Sequence, residues 1–325
     1  MTQFNITTKK NLLAFSGGID STALFFLLLE QNIPFDIAIV DYNVRAQSKE
    51  EVNYAKKLAK KYNKHCFIKS ATLSNNKNFE KNARDIRYNF FEEIIQEHAY
   101  ETLITAHQLN DKLEWFLMQL SRGAGLVEIL GLEKYENKSK YTLLRPLLEI
   151  SKEELQNYLD NKQIKYYLDE TNIDTNYTRN HFRHNFSDIF IKNYQEGVKK
   201  SFEYLSHDID SLQINYEPIF QEKELQVFDK PNDLNLVIRI IDKNVKQRGI
   251  LLSNSQRNEI IKQQELVISH KLAISFSSSK IWISPYVKES MDKRFKEKCR
   301  VLKIPKNVRC YLYKQDINLE NLTMQ

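Results

Sequence analysis

Apolar positions along the first half of the chain alternate between a short-run pattern and a helical one. Leu12, Leu13, Ala14 and Phe15 form a compact apolar run that predicts a buried strand. Ala23, Leu24, Leu27 and Leu28 then recur at helical spacing, and Phe25 and Phe26 widen the apolar face. The pattern repeats. Phe35 to Asp41 predicts a second strand, and Lys49 to Tyr62 a polar-faced helix whose start at Ser48 and Glu51 reads as a capping box. Residues 64–70 predict a third strand, Asn82 to Glu97 a longer helix, and residues 101–106 a fourth strand. A helix follows over Asn110 to Leu120, capped by Asn110 or Asp111 and burying Leu113, Phe116, Leu117 and Leu120. Strand and helix in regular alternation predict a parallel sheet covered on both faces. Ligands on such sheets bind at the carboxyl ends of the strands.

The pattern changes after about residue 190. Residues 187–215 read as one long helix or two short ones, a connector in either case. Beyond Tyr216, residues 234–245 and 254–265 predict helices, and residues 271–287 a hairpin around a serine turn. At 325 residues two domains are expected, drawn here as 1–190 and 216–325 with 191–215 between them.

Only 7 glycines occur in 325 residues, and two of them, Gly17 and Gly18, stand side by side between the first strand and the first helix. A helix start presents unpartnered N–H groups and the positive end of its dipole, and glycine lets an anion approach them closely. The plainer reading is a turn with Asp20 or Ser21 as helix cap. Neither G-x-x-x-x-G-K-[ST] nor G-x-G-x-x-G occurs in the chain. Ser16-Gly17-Gly18-Ile19-Asp20-Ser21 resembles the SGGxDS pyrophosphate loop of the N-type ATP pyrophosphatases, which split ATP into AMP and pyrophosphate. The resemblance implies that these six residues bind ATP and that Asp20 holds Mg²⁺.

Other strand ends carry unusual residues. After the second strand, Asp41-Tyr42-Asn43-Val44-Arg45 is either a polar loop or an adenine-recognition segment. After the fourth, residues 105–126 place Asp111 and Glu114 one helical turn apart, close to His107. Taken alone, such an acid pair is most often a solvated face. Arg179, His181, Arg183 and His184 form a basic stripe with the same two readings, solvated face or nucleic-acid contact.

The order of these segments resembles the tRNA(Ile)-lysidine synthetase family. Residues 105–126 are similar to its A-H-H-x-D/N-D-Q-x-E-T…R-G-A-G signature, with Gln108, Lys112 and Trp115 departing from it. Residues 82–88 match A-R-x-x-R-Y, and 143–159 with 166–185 match R-P-L-L…S-x-x-E-L…D-x-S/T-N…R-N-x-x-R-H. The resemblance implies a Rossmann-like, parallel-sheet α/β pyrophosphate-loop domain of the adenine nucleotide alpha hydrolase kind, followed by a smaller mixed α+β domain that contacts tRNA. It implies ATP-dependent ligation of free L-lysine to C2 of the wobble cytidine in the CAU anticodon of tRNA(Ile), through an adenylated cytidine. ATP would be held by the loop with Arg122 and Gly123, and lysine by Asp111, Glu114 and His107. Asp20, Asp111 and Glu114 would be catalytic, and Arg84, Arg87, Arg145, Arg179, Asn180, Arg183 and His184 would face tRNA. Other enzymes with the same loop, and a non-catalytic RNA-binding protein with an ATP fold, are the alternatives. Sulfurating relatives need clustered cysteines, and Cys66, Cys299 and Cys310 form no such cluster.

Composition adds modestly to this. A net charge of +6 suits a polyanionic partner. Nine Lys or Arg against three acids between Lys288 and Arg309, near Phe295, Tyr311 and Tyr313, read as a solvated edge or a grip on a tRNA stem. Three unpaired cysteines, no apolar stretch near 18 residues and no signal-peptide pattern lead to the expectation of a cytoplasmic protein with no membrane contact and no obligate protein partner.

Overall fold

The computed structural model describes residues 3–6, 10–43, 46–71, 79–138, 140–168, 178–211, 217–250, 252–263, 265–277 and 279–322. By internal contacts the chain divides into two compact units, 1–207 and 208–325.

The first unit runs β1 (Asn11–Ala14), α1 (Ile19–Glu30), β2 (Asp36–Asp41), α2 (Ala46–Lys61), β3 (Cys66–Ser70), α3 (Phe79–His98), β4 (Thr102–Ile104) and α4 (Leu109–Leu120). It continues with α5 (Leu126–Ile129), β5 (Tyr135–Asn137), β6 (Thr142–Leu144), α6 (Lys152–Asn161), α7 (Thr178–Phe182) and α8 (Asp188–Ser211). A single π-helical turn, Arg183–Ser187, joins the last two. The six strands are ordered β3-β2-β1-β4-β6-β5, all parallel except the antiparallel edge strand β5.

Successive strand residues point to opposite faces, and the core is divided accordingly. Leu13, Ile37, Ile39, Ile104 and Leu144 pack on one face with α1, α2 and α6. Their neighbours Leu12, Ala38, Leu103 and Leu143 pack on the other, against Phe90, Phe91, Ile94 and Ile95 of α3. The chain leaves β1 outward to β2 and β3 and returns on the other side of β1 as β4, so the strand order reverses between β1 and β4. Sheets of this kind open a crevice there, at the carboxyl ends. The diglycine turn follows β1 and the start of α4 follows β4, which puts both at that crevice.

Several local expectations are corrected. α2 begins at Ala46, so Ser48 lies inside its first turn and does not cap it. Gln108, rather than Asn110 or Asp111, caps α4: its side chain accepts from Asn110 N, and Asp111 Oδ2 accepts from Gln108 N at 3.2 Å. Gly18, rather than Asp20 or Ser21, is the N-cap of α1. Residues 191–207 belong with the first unit, because α8 buries Ile191, Val198 and Phe202, and the Phe202 ring meets Phe116 of α4 at 5.6 Å.

The second unit holds β7 (Phe220–Glu222), β8 (Leu225–Asp229), α9 (Leu234–Gln247), α10 (Asn254–Lys262), β9 (Glu265–Ile268), β10 (Leu272–Phe276), β11 (Lys280–Pro285), α11 (Lys293–Val301) and α12 (Lys306–Lys314). The expected hairpin is β10 with β11, set inside a five-stranded antiparallel sheet ordered β7-β8-β11-β10-β9. α10 stops at Lys262, and Glu265 already belongs to β9. The basic run is an ordered edge: it forms α11 and the start of α12, helices that bury Cys299, Val308, Tyr311 and Leu312, with Lys293, Arg294, Lys296, Lys298, Arg300 and Lys306 exposed and Arg309 turned onto the Ile304 carbonyl. Among the described residues no helix is long and apolar enough to cross a membrane.

Candidate active site

Ser16 to Ser21 close a compact turn. Gly17 has φ +80°, a left-handed conformation that other residues rarely adopt. Its carbonyl accepts from Tyr167 N at 2.9 Å, which ties the turn to the strand-like segment before residue 168. Ser21 Oγ is 3.0 Å from Ser16 Oγ and accepts from Ser16 N at 3.2 Å. Gly18 is different from Gly17. Its φ of −75° is open to any residue. A Cβ there would lie 3.6 Å from Ser16 Oγ and 3.9 Å from the Tyr167 carbonyl oxygen, ordinary contacts. Among the described residues, packing therefore gives no reason for glycine at 18, and no side chain caps the helix it starts.

Asp20 lies in the first turn of α1, and its buried Oδ1 has no hydrogen-bond partner among the described residues. Burial and then the nearby Asp111 carboxylate push its carboxyl up to about 7. A buried carboxyl that lies near enough to a second one to be raised by it is a donor set that fits Mg²⁺, which takes one or two protein carboxylates and completes its shell with phosphate oxygens and water. No cluster of three or more His, Cys, Asp or Glu forms an all-protein metal cage among the described residues.

Asp111 and Glu114 face α7 and the π-helical turn. Arg183 Nε donates to Glu114 Oε2 at 2.9 Å and its Nη2 to Asp111 Oδ1 at 3.1 Å. Arg179 Nε donates to Glu114 Oε1, and Arg179 Nη2 to Asp111 Oδ1 at 3.3 Å. The four groups are charge-balanced. Their side chains are 2% exposed at Glu114, 11% at Asp111, 16% at Arg183 and 40% at Arg179, so Arg179 is the member closest to water. The cluster splits the two acids. At Asp111 burial raises the carboxyl, but Arg179 and Arg183 prevail and hold it below the usual range. At Glu114 burial prevails over the same two guanidiniums and the carboxyl is pushed up. Acid–base chemistry calls for two carboxyls held apart in this way.

His107 stands beside the pair, its Nδ1 3.0 Å from Thr105 Oγ1. Burial, against the pull of Asp111, lowers its imidazole to about 4, so it is neutral at physiological pH. Asn110 binds the site's frame together: its Nδ2 donates to Asp188 Oδ1 at 2.7 Å and its Oδ1 accepts from Lys152 N at 3.2 Å. Nothing in the motif pattern distinguished Asn110 from a helix cap, because both partners come from distant segments.

The remaining sequence candidates are scattered differently. Arg84 and Arg87 are exposed on α3, with the Arg84 guanidinium 4.6 Å above the Tyr88 ring. Asn180 is buried in α7, and His184 in the π-helical turn lies 3.9 Å from Asp188. Arg122 and Gly123 sit past the last turn of α4, a helix length of about 18 Å from its start at the crevice. Arg145 is a correction. It is 3% exposed, donating to the Glu133 carbonyl and to Glu136 Oε2, both at 2.7 Å, and so presents no charge to a phosphate. Within the basic stripe, Arg179 and Arg183 turn onto carboxylates, while His181 is exposed. Val44, Arg45 and the D-x-S/T-N segment at 169–172 lie outside the described residues.

A diglycine turn at the strand-order reversal, with acids at the neighbouring strand end, defines a pyrophosphate-loop nucleotide enzyme. Residues 1–189 match the PP-loop domain family. The chain is 45% identical to the tRNA(Ile)-lysidine synthase of Campylobacter jejuni, over 97% of this chain and 95% of that one. It is 42% identical to that of Wolinella succinogenes, over 95% and 94%. The chain belongs to the tRNA(Ile)-lysidine synthase family. Among solved structures, a U34-tRNA thiolase from Methanococcus maripaludis with its [4Fe-4S] cluster matches 61% of this chain and 72% of its own, with a TM-score of 0.50 at 20% identity, a likeness of fold.

Proposed function

We propose that this chain ligates free L-lysine to C2 of the wobble cytidine in the CAU anticodon of tRNA(Ile), consuming ATP and releasing AMP and pyrophosphate. Gly18 carries the reading: it is a glycine that packing among the described residues does not require, at the start of a helix in the crevice, where a ligand's approach accounts for it.

The C2 oxygen of cytidine is a poor leaving group. In the first step it attacks the α-phosphorus of ATP, forming an adenylated cytidine and expelling pyrophosphate. The loop amides with Ser16 and Ser21 hold the β- and γ-phosphates, with the target base drawn out of its stack beside them. Asp20, with Asp111 opposite, would hold Mg²⁺, which when bound supplies positive charge against the departing pyrophosphate. In the second step the lysine Nε attacks C2, and AMP leaves with the oxygen. The amine must first lose a proton, since its reference pKa is about 10.4. Asp111 and Glu114 receive the ammonium, and Glu114, whose carboxyl is raised, takes the proton. The ammonium must displace a guanidinium to reach them, and Arg179 is the more exposed of the two. Arg84, Arg87, His184 and the basic outer faces of α11 and α12 are assigned to tRNA phosphate, and the enzyme to the cytoplasm, where its three substrates meet.

Incubation of the chain with unmodified tRNA(Ile), labelled lysine, ATP and Mg²⁺ tests the reading. Label in the tRNA as lysidine, one AMP per lysine, is the expected result. Unlabelled tRNA with no AMP released overturns it.

A further inference from the structure

The helix that brings Arg183 to the carboxylates carries an outward face that the reaction chemistry does not use. Past the π-helical turn, Phe186, Ile189, Phe190 and Tyr194 are 47%, 56%, 48% and 61% exposed. The rings are grouped. Phe186 lies 5.6 Å from Phe182 and 5.8 Å from the His181 ring, and Phe190 lies 5.1 Å from Tyr194. Tyr194 is also where the helix departs from regular geometry, with φ −135° and ψ 27°, which ends the strip.

We infer that this strip, Phe186 to Tyr194, is a stacking platform for unpaired RNA bases next to the target cytidine. The inference rests on the proposed activity and deepens it. Three observations favour RNA. First, amide side chains lie at the strip: Asn193 Nδ2 donates to the Ile189 carbonyl at 2.9 Å, and Asn185 Nδ2 is 3.0 Å from Nδ1 of His181, the ring beside Phe186. Single-stranded nucleic acid is bound by aromatic faces set among such polar groups. Second, the strip spans eight residues of helix, about 12 Å, which accommodates three or four bases stacked about 3.4 Å apart. Third, the strip is continuous with the candidate site, because Arg183 of the π-helical turn touches Glu114 and Asp111 just three residues before Phe186.

The test uses the full chain and unmodified tRNA(Ile). Phe186→Ala with Phe190→Ala should raise the KM for tRNA at least about tenfold, leaving kcat at saturating tRNA and the KM for ATP and lysine unchanged. Phe186→Leu with Phe190→Leu, which keeps apolar bulk without a ring face, should behave like the alanine pair. Phe186→Tyr with Phe190→Tyr should restore the wild-type KM. Far-UV circular dichroism checks that each variant is folded, and the leucine pair serves if the alanine pair is not. A leucine pair with wild-type KM for tRNA overturns the inference. So does a wild-type dimer in sedimentation that the alanine pair dissociates, which makes the strip a contact between copies of this chain. If the wild type makes no lysidine, the proposed function fails. If it makes lysidine and the ring variants bind tRNA normally, only the platform fails.

Discussion

Arg183 and Glu114, 69 residues apart in the chain, are joined by a 2.9 Å hydrogen bond from Nε to Oε2. Glu114 is 2% exposed, so its charge depends on that guanidinium and on Arg179. Replacing Arg183 by leucine leaves a buried carboxylate half-compensated, a change that costs about 3–5 kcal/mol when a buried pair is broken. The expected outcome is a clear fall in Tm at pH 8. As pH drops Glu114 takes up a proton and the uncompensated charge disappears, so the gap between variant and wild type should narrow towards pH 5. Thermal unfolding across that range checks both points.

The Asp20 carboxyl is shifted in the opposite direction to that of a salt-bridged acid. It is raised from 3.8 to about 7 by burial and by Asp111. Between those values the folded protein keeps the proton and the unfolded chain does not, so this group's contribution to stability falls as pH rises from about 4 to about 7. Above that range the cost stays constant, at a few kcal/mol. Asp20→Asn should therefore raise Tm of the nucleotide-free protein at pH 8, have little effect near pH 4, and abolish AMP release. A lower Tm at pH 8 would mean that the carboxylate is compensated by groups other than those described.

The two glycines of the loop should respond differently to alanine. At Gly17, φ +80° imposes strain of about 1–2 kcal/mol on any other residue, visible as a lower Tm. Gly18→Ala meets no close contact and should leave Tm within about 1 °C. ATP-dependent activity should nonetheless be lost, because the methyl group occupies the approach to the loop amides. Calorimetry beside AMP release separates the two effects.

Much of the fold and site was legible because it rests on local signals. The alternation of β1 to α4 follows from periodicity, and the loop from a glycine pair in a glycine-poor chain. What was hidden depends on distant partners. The two three-residue strands β5 and β6 are too short for a periodic signal. Gln108 caps α4 through a side chain one methylene longer than the usual Asn or Asp. The pairing of Asp111 and Glu114 with Arg179 and Arg183 is invisible until the chain returns past α6. In and just after the basic run, the narrow apolar side formed by Cys299, Val308, Tyr311 and Leu312 was masked by the surrounding lysines.

Arg145 separates motif from contact. Its guanidinium is buried on the Glu133 carbonyl and Glu136, so Arg145→Met should lower stability by about 2–3 kcal/mol. The KM for tRNA of the folded variant should not change. A selective rise in that KM, with stability intact, would return Arg145 to the RNA surface.

The central claim is that the loop positions ATP for transfer of its adenylyl group to the tRNA. Incubation of the enzyme with unmodified tRNA(Ile) and α-labelled ATP, without lysine, measures that transfer directly. The expected result is label bound to the tRNA at its wobble cytidine, discharged as AMP when lysine is added, with neither event in Gly18→Ala. Wild-type enzyme that forms lysidine while no adenylyl label ever reaches the tRNA would contradict it.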